Sequence, residues 1–235
     1  MPAVKGEPVS RRPPSKRAKL SKADIVAAAL EMSDASTGLE AVTIRSLASR
    51  LNVGAMTLYG YFRSKEDLLD AVADHVMSTL PVASVPDESP EEAIRAIADA
   101  FLQLMTEHPS VVLLLASRTT RSPDSLRVAM ESVLRRLVTA GLPAPLAVQC
   151  YGFLIQHAIG YTTYRVPRPW GGEPTAEVLE LRRQQEHFYA ALPVTHFPLV
   201  VGWASDLALL PARETYDFAI DALVAWVTQL VPQPT

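Results

Sequence analysis

Apolar residues recur at helical spacing in one segment of this chain after another, and most of those segments open on a side chain suited to capping a helix. Ser21 with Asp24 forms an S-x-x-D cap ahead of "IVAAALEM", where Ile25, Ala28, Ala29 and Met32 share a face. Gly38 is the expected stop of that helix region. Thr43 caps "IRSLASRL", whose Ile44, Leu47, Ala48 and Leu51 fall at i, i+3, i+4 and i+7, and "NVG" closes it with turn residues. Ala55 to Phe62 reads as a short helix. Ser64 with Asp67 then caps a fourth, through Leu68, Leu69, Val72, Val76 and Leu80 to Pro81.

Residues 82–89 read as a linker, and Ser89-Pro90-Glu91-Glu92 as a strong helix start, with an N-cap, a Pro in the first turn and acids at the positive end of the dipole. Helices are expected over about 90–107, 110–120, 124–140 (stopped by Gly141 and Pro143), 144–164, 175–192 and 212–230. Period-two alternation never persists, so the expected fold is all-α.

With 49% of its 235 residues hydrophobic, the chain can bury a substantial core in one or two domains. Its longest apolar run, Val111 to Ala116, is far below the roughly 20 residues of a membrane span, so no membrane partner is expected. The N-terminus lacks the apolar stretch of a signal peptide, which makes the cytoplasm the expected location. A lone Cys150 excludes an intrachain disulfide and a cysteine-clustered metal site.

The histidines at 75, 108, 157, 187 and 196 show no metal-ligand spacing, and no glycine-rich phosphate loop occurs, so no metal or cofactor is expected. Cys150 and His157 share a helix face but lie about 10.5 Å apart along the axis, a poor nucleophile and base pair. An enzyme is not expected.

Charge is unevenly placed. Residues 1–65 hold 11 Lys and Arg against 5 Asp and Glu, whereas residues 66–235 hold 11 against 20. A basic first quarter points to an anionic partner, with nucleic acid ahead of an acidic membrane surface. Residues 1–20, rich in Pro, Lys and Arg, read as a disordered basic arm that either follows DNA or only aids solubility.

Two short helices joined by a tight turn, Thr43 to Leu51 and Ala55 to Phe62, have the form of a helix-turn-helix. On a helical wheel Leu58 and Phe62 face the first helix, Met56 and Gly60 point outward, Thr57 and Tyr61 take one flank and Tyr59 the other. The outward row suits base edges and the flanking hydroxyls suit phosphates, with Lys65 adding a charged contact at the next helix start. Any helical protein contains such hairpins, and a packed surface accounts for the tyrosines equally well.

The stretch "TIRSLASRLNVGAMTLYGYFRSKEDLLDAV" resembles the DNA-binding domain of the TetR family of bacterial repressors, over about residues 21–80. "YDFAIDALVAWV" resembles the last, dimerising helix of its tetracycline-repressor-like subgroup. The resemblance implies phosphate contacts from Thr43, Thr57, Tyr59 and Lys65, and base reading by Arg45. It places Tyr61 where the family often has His, and Ala55 and Met56 where the tetracycline repressor has polar or rigid residues, so the operator sequence is not inherited.

The resemblance divides the chain into a helix-turn-helix DNA-binding domain over 21–68 and an effector-binding and dimerisation domain over 69–235. It implies a repressor that binds a palindromic operator in double-stranded DNA as a homodimer and is released by a small-molecule effector. The alternative is a DNA-binding regulator without a small ligand, controlled by a protein partner or by abundance.

Residues 144–164 are apolar nearly all round and should be buried on more than one side. The last helix carries a broad apolar face that includes Tyr216, Ile220, Leu223 and Trp226. Both helices fit either a four-helix dimer interface or a monomer core. Effector contacts are sought among Phe101, Met105, His108, Met130, Tyr151, His157 and Trp170, each of which also fits a core position. "YRVPRPWGG", Tyr164 to Gly172, either gates a pocket or simply connects helices.

Overall fold

The computed structural model describes residues 20–35, 39–118, 121–172 and 174–231. These form helices and connecting turns, with no strand among the described residues. Residues 1–19 of the expected basic arm and Gly38 lie outside them.

Four helices build the N-terminal head: α1 (Lys22–Ala35), α2 (Ile44–Arg50), α3 (Ala55–Tyr59) and α4 (Lys65–Ser78). Their starts follow from residues three positions apart. The Asp24 carboxylate accepts from the Ser21 backbone N–H (2.8 Å) and hydroxyl (2.7 Å). Thr43 and Ser46 form a reciprocal capping box on α2, and Ser64 Oγ accepts from the Asp67 N–H at 3.1 Å on α4. After α2, Asn52 takes a left-handed conformation (φ 52°), and the Val53 N–H returns to the Ala48 carbonyl at 3.0 Å. Leu47, Leu58, Phe62 and Leu68 then meet in a fully buried cluster, each worth about 1.5–3 kcal/mol relative to exposure.

The C-terminal bundle contains α5 (Pro90–Glu107), α6 (Pro109–Ser117), α7 (Pro123–Leu126), α8 (Val133–Thr139), α9 (Ala144–Arg165), α10 (Ala176–Ala190), α11 (Pro198–Gly202), α12 (Ala204–Ala208) and α13 (Arg213–Leu230). Pro109 cannot continue the α5 ladder, and α6 departs from α5 at 112°. A π-helical segment, Arg127–Ser132, joins α7 to α8. Gly141, at φ +102°, ends α8, as its sequence position suggests. α5 packs along α9 and α13, with Ile94, Ile97, Phe101 and Met105 facing inward.

Two sequence expectations are revised. α11 and α12 were not anticipated, because five-residue helices flanked by Pro are too short to carry a periodic signal. The linker at 82–89 is anchored: Glu88, nearly buried, makes a two-pronged ion pair with Arg136 (2.5 and 2.8 Å). α9 packs against α5, α6, α8 and α13 and so is buried on more than one side, as expected, while Val148 (57% exposed) and Phe153 (38%) face outward.

α4 is continuous across residues 68 and 69 and packs on α1 on one side and on α6 and α7 on the other. One contiguous hydrophobic cluster therefore runs from Ile25 in the head to Val227 in the bundle. No single helix among the described residues is long and apolar enough to cross a membrane.

Candidate functional site

The helix-turn-helix presents α3 outward. Ala55, Met56, Thr57 and Tyr59 are exposed, Met56 at 81% and Tyr59 at 50%, while Leu58 and Phe62 hold the hairpin to the core. α3 is shorter than the expected Ala55 to Phe62 helix. It stops at Tyr59, with exposed Gly60 as its C-cap and the Tyr61 and Phe62 N–H groups both returning to the Leu58 carbonyl. A Cβ at Gly60 would sit 3.2 Å from the Thr57 carbonyl.

Early termination swings Tyr61 inward. Its hydroxyl donates to the Leu20 carbonyl at the start of α1, so Tyr61 is a tether between α1 and the hairpin and does not sit on the flank beside Thr57. Thr43 and Arg45 are exposed at the start of α2, and the Arg45 side chain has no partner among the described residues. Lys65 is half-buried at the first position of α4, its Nζ 3.4 Å from the Leu39 carbonyl. The exposed side chains of α3 thus lie in the chain between the capped starts of α2 and α4.

Polar contacts join this head to the bundle. Asp34 near the end of α1 accepts from the Ser110 hydroxyl at 2.6 Å and shares a hydrogen bond with His108 Nδ1 at 2.8 Å. Arg118, following α6, donates to Asp70 (2.6 Å) and to the Glu66 carbonyl (3.2 Å) on α4. Asp74 accepts from the Arg121 and Ser122 N–H groups and from the Ser125 hydroxyl.

Two adjoining cavities open in the bundle and share Thr106, Arg165 and Gly172. The larger, about 470 Å³, lies between α5, the end of α9, α10 and the start of α13. The smaller, about 320 Å³, lies between the start of α6 and the end of α9. The loop Pro169–Gly171 forms part of their wall, and a Cβ on Gly171 would fall 2.5 Å from Pro211, so only glycine fits there. "YRVPRPWGG" is therefore wall as well as connection.

None of the seven effector candidates is among the residues lining these cavities. Phe101 and Met105 are fully buried, and Phe101 meets half-buried Tyr151 edge-on. His108 pairs with Asp34, and Met130 is 40% exposed. His157 stacks on Tyr216 (4.5 Å) and faces its carbonyl, while Trp170 offers its backbone oxygen to Arg182. Phe101 and Met105, on the inner face of α5, fill the core here, whereas the two cavities meet at the end of α9, where Arg165 lies.

Burial pushes the Cys150 thiol up to about 11, leaving it un-ionised at neutral pH. Among the described residues no group of three or more His, Cys, Asp or Glu could hold a metal ion.

A capped helix-turn-helix head continuous with a cavity-bearing helical bundle is the build of single-chain bacterial regulators. Residues 25–72 match "Bacterial regulatory proteins, tetR family", and residues 85–224 match "Tetracyclin repressor-like, C-terminal domain". The chain belongs to the tetR family.

It is 28% identical over 155 residues to an HTH-type transcriptional repressor of Mycobacterium tuberculosis, covering 64% of this chain and 59% of that protein. It is 33% identical over 138 residues to a repressor from Streptomyces coeruleorubidus, covering 58% and 50%. The chain thus spans between half and three-fifths of the length of these relatives. In fold it resembles ActR of Streptomyces coelicolor in complex with actinorhodin (TM-score 0.76, 23% identity, 92% and 99% covered). It also resembles a TetR variant of Acinetobacter baumannii in complex with minocycline (TM-score 0.60, 22% identity, 92% and 100% covered).

Proposed function

We propose that the protein is a transcriptional repressor that binds a palindromic operator as a homodimer and leaves it when a small molecule occupies the bundle. The observation that carries this reading is the exposed row Ala55, Met56, Thr57 and Tyr59 on α3, flanked by the capped starts of α2 and α4. In this reading α3 enters the major groove, Arg45 reaches a base edge, and Thr43, Thr57, Tyr59 and Lys65 line the phosphate walls. Gly60, exposed at the end of α3, leaves the backbone free to approach the duplex. Ala55 and Met56 favour a thymine methyl by apolar contact.

A dimer is supported by an uncovered apolar groove on α9 and α13, about 540 Å³, which includes Phe153, Phe218, Ala222 and Trp226. Phe218 is 76% exposed. Two-fold pairing there would set two α3 helices about 34 Å apart, to meet successive major grooves. An effector is supported by the two cavities and by neighbours that bind actinorhodin and minocycline. Release is a population shift, limited by how much better the ligand fits the DNA-incompetent arrangement. Ser110, on the smaller cavity's wall, bonds Asp34 of α1 and gives that preference a path to the head.

Selection of genomic fragments by the purified protein tests the reading: it should retain a palindrome whose half-sites are about one helical turn apart. Lys65→Ala should then weaken binding on all sequences alike and lower the salt slope by about 1. A change confined to one base position would remove Lys65 from the phosphate wall.

A further inference from the structure

Resting on the effector reading above, we propose that the cavity between the start of α6 and the end of α9 takes an amphipathic organic anion, a ring system bearing one carboxylate, anchored by Arg165. Two guanidinium groups, Arg165 and Arg168, line this cavity, and no carboxylate does among the described residues. Arg168 is engaged: it stacks over Tyr164 at 3.6 Å and donates to the Tyr164 carbonyl at 2.7 Å.

Arg165 is different. It is half-buried, yet its side chain makes no hydrogen bond or ion pair among the described residues, whereas Arg95, Arg118, Arg136 and Arg213 of the same bundle each hold a carboxylate. A partly desolvated cation without a partner is costly, and a carboxylate that accepts its fork of donors relieves the cost.

Other features of the wall agree. Pro109 and Ser110 are the first turn of α6, a nine-residue helix, and bring its positive end to the same space. Thr162, 5% exposed, lines the cavity, and its buried hydroxyl makes no hydrogen bond among the described residues. Pro109, Val166 and Pro169 supply an apolar surface for a ring system.

The volume, about 320 Å³, lies at the small end of ligand sites, which run from about 300 to 1,000 Å³. One free guanidinium matches a monoanion better than a phosphate dianion. A carboxylate in this cavity also competes with Asp34 for the Ser110 hydroxyl, which links occupancy to α1.

The test uses the full chain with benzoate, 2-naphthoate and anthracene-9-carboxylate, each paired with its primary amide, read by calorimetry and by melting. At least one acid should bind at least about tenfold more tightly than its amide and raise Tm. Arg165→Met should cut that acid's affinity about 10- to 100-fold while leaving amide binding unchanged, and Arg165→Lys should fall between. The proposal is overturned if amides bind as tightly as acids, if Arg165→Met leaves acid binding intact, or if no acid binds. Retention of operator fragments, measured on the same ligand-free preparation, is independent of all three outcomes. Its loss would sink the repressor reading instead.

Discussion

Cys150 illustrates how position on a helix decides the chemistry of a side chain. It lies on the inner face of α9, fully buried, and burial pushes its thiol up to about 11. The native protein should therefore resist a thiol reagent at pH 7.5 and react fully only once unfolded. Fast labelling of the folded chain would show that α9 opens locally. Tyr61 makes the same point for a hydroxyl: the wheel placed it beside Thr57, but α3 ends one residue before Gly60 and the Tyr61 oxygen reaches Leu20 instead. The partner is 41 positions away, beyond any local pattern.

Between elements, ion pairs and hydrogen bonds hold what hydrophobic packing alone would leave adjustable. Glu88→Ala should cost about 3–5 kcal/mol by stranding the buried Arg136 charge. Replacing both partners by Leu and Met should recover most of that, which chemical denaturation of the single and double variants would measure. Equal losses in single and double variants would mean the site needs its polar shape.

Asp34→Ala removes two hydrogen bonds between α1 and the α5–α6 bend. At about 1.4 kcal/mol for the pair, amide exchange in α1 should quicken about tenfold relative to α5. Unchanged protection of α1 would mean that α1 is held without the Asp34 hydrogen bonds, and the path from Ser110 to the operator would lose its first link.

At the level of the whole molecule, the apolar groove on α9 and α13 is the feature the protomer leaves unexplained. A stable pair buries about 800 Å² per partner, with aromatic residues at the centre, and Phe218 and Trp226 are placed to supply them. Phe218→Asp should halve the mass seen in sedimentation while circular dichroism stays helical, and should weaken operator binding by at least tenfold. An intact dimer would move the interface elsewhere, with the exposed Phe188 and Trp203 around α10 and α12 the next surface to probe.

Read alone, the chain was enough for its helical class, the family resemblance and every cap of the head, because Ser21 with Asp24, Thr43 with Ser46, and Ser64 with Asp67 interact across three residues. It was also enough to mark "YRVPRPWGG" as unusual. The cavities were another matter. Phe101, Met105 and His157 have the composition of pocket residues and are core, since an amphipathic face looks the same whether a helix or a void lies opposite.

Arg165 became informative only because no carboxylate among the described residues pairs with it, which is a property of how α6 and α9 come together. Capping and periodicity are short-range and are written into adjacent residues. Cavities, unpaired charges and uncovered faces exist only after elements distant in sequence have packed, and tertiary structure decided them.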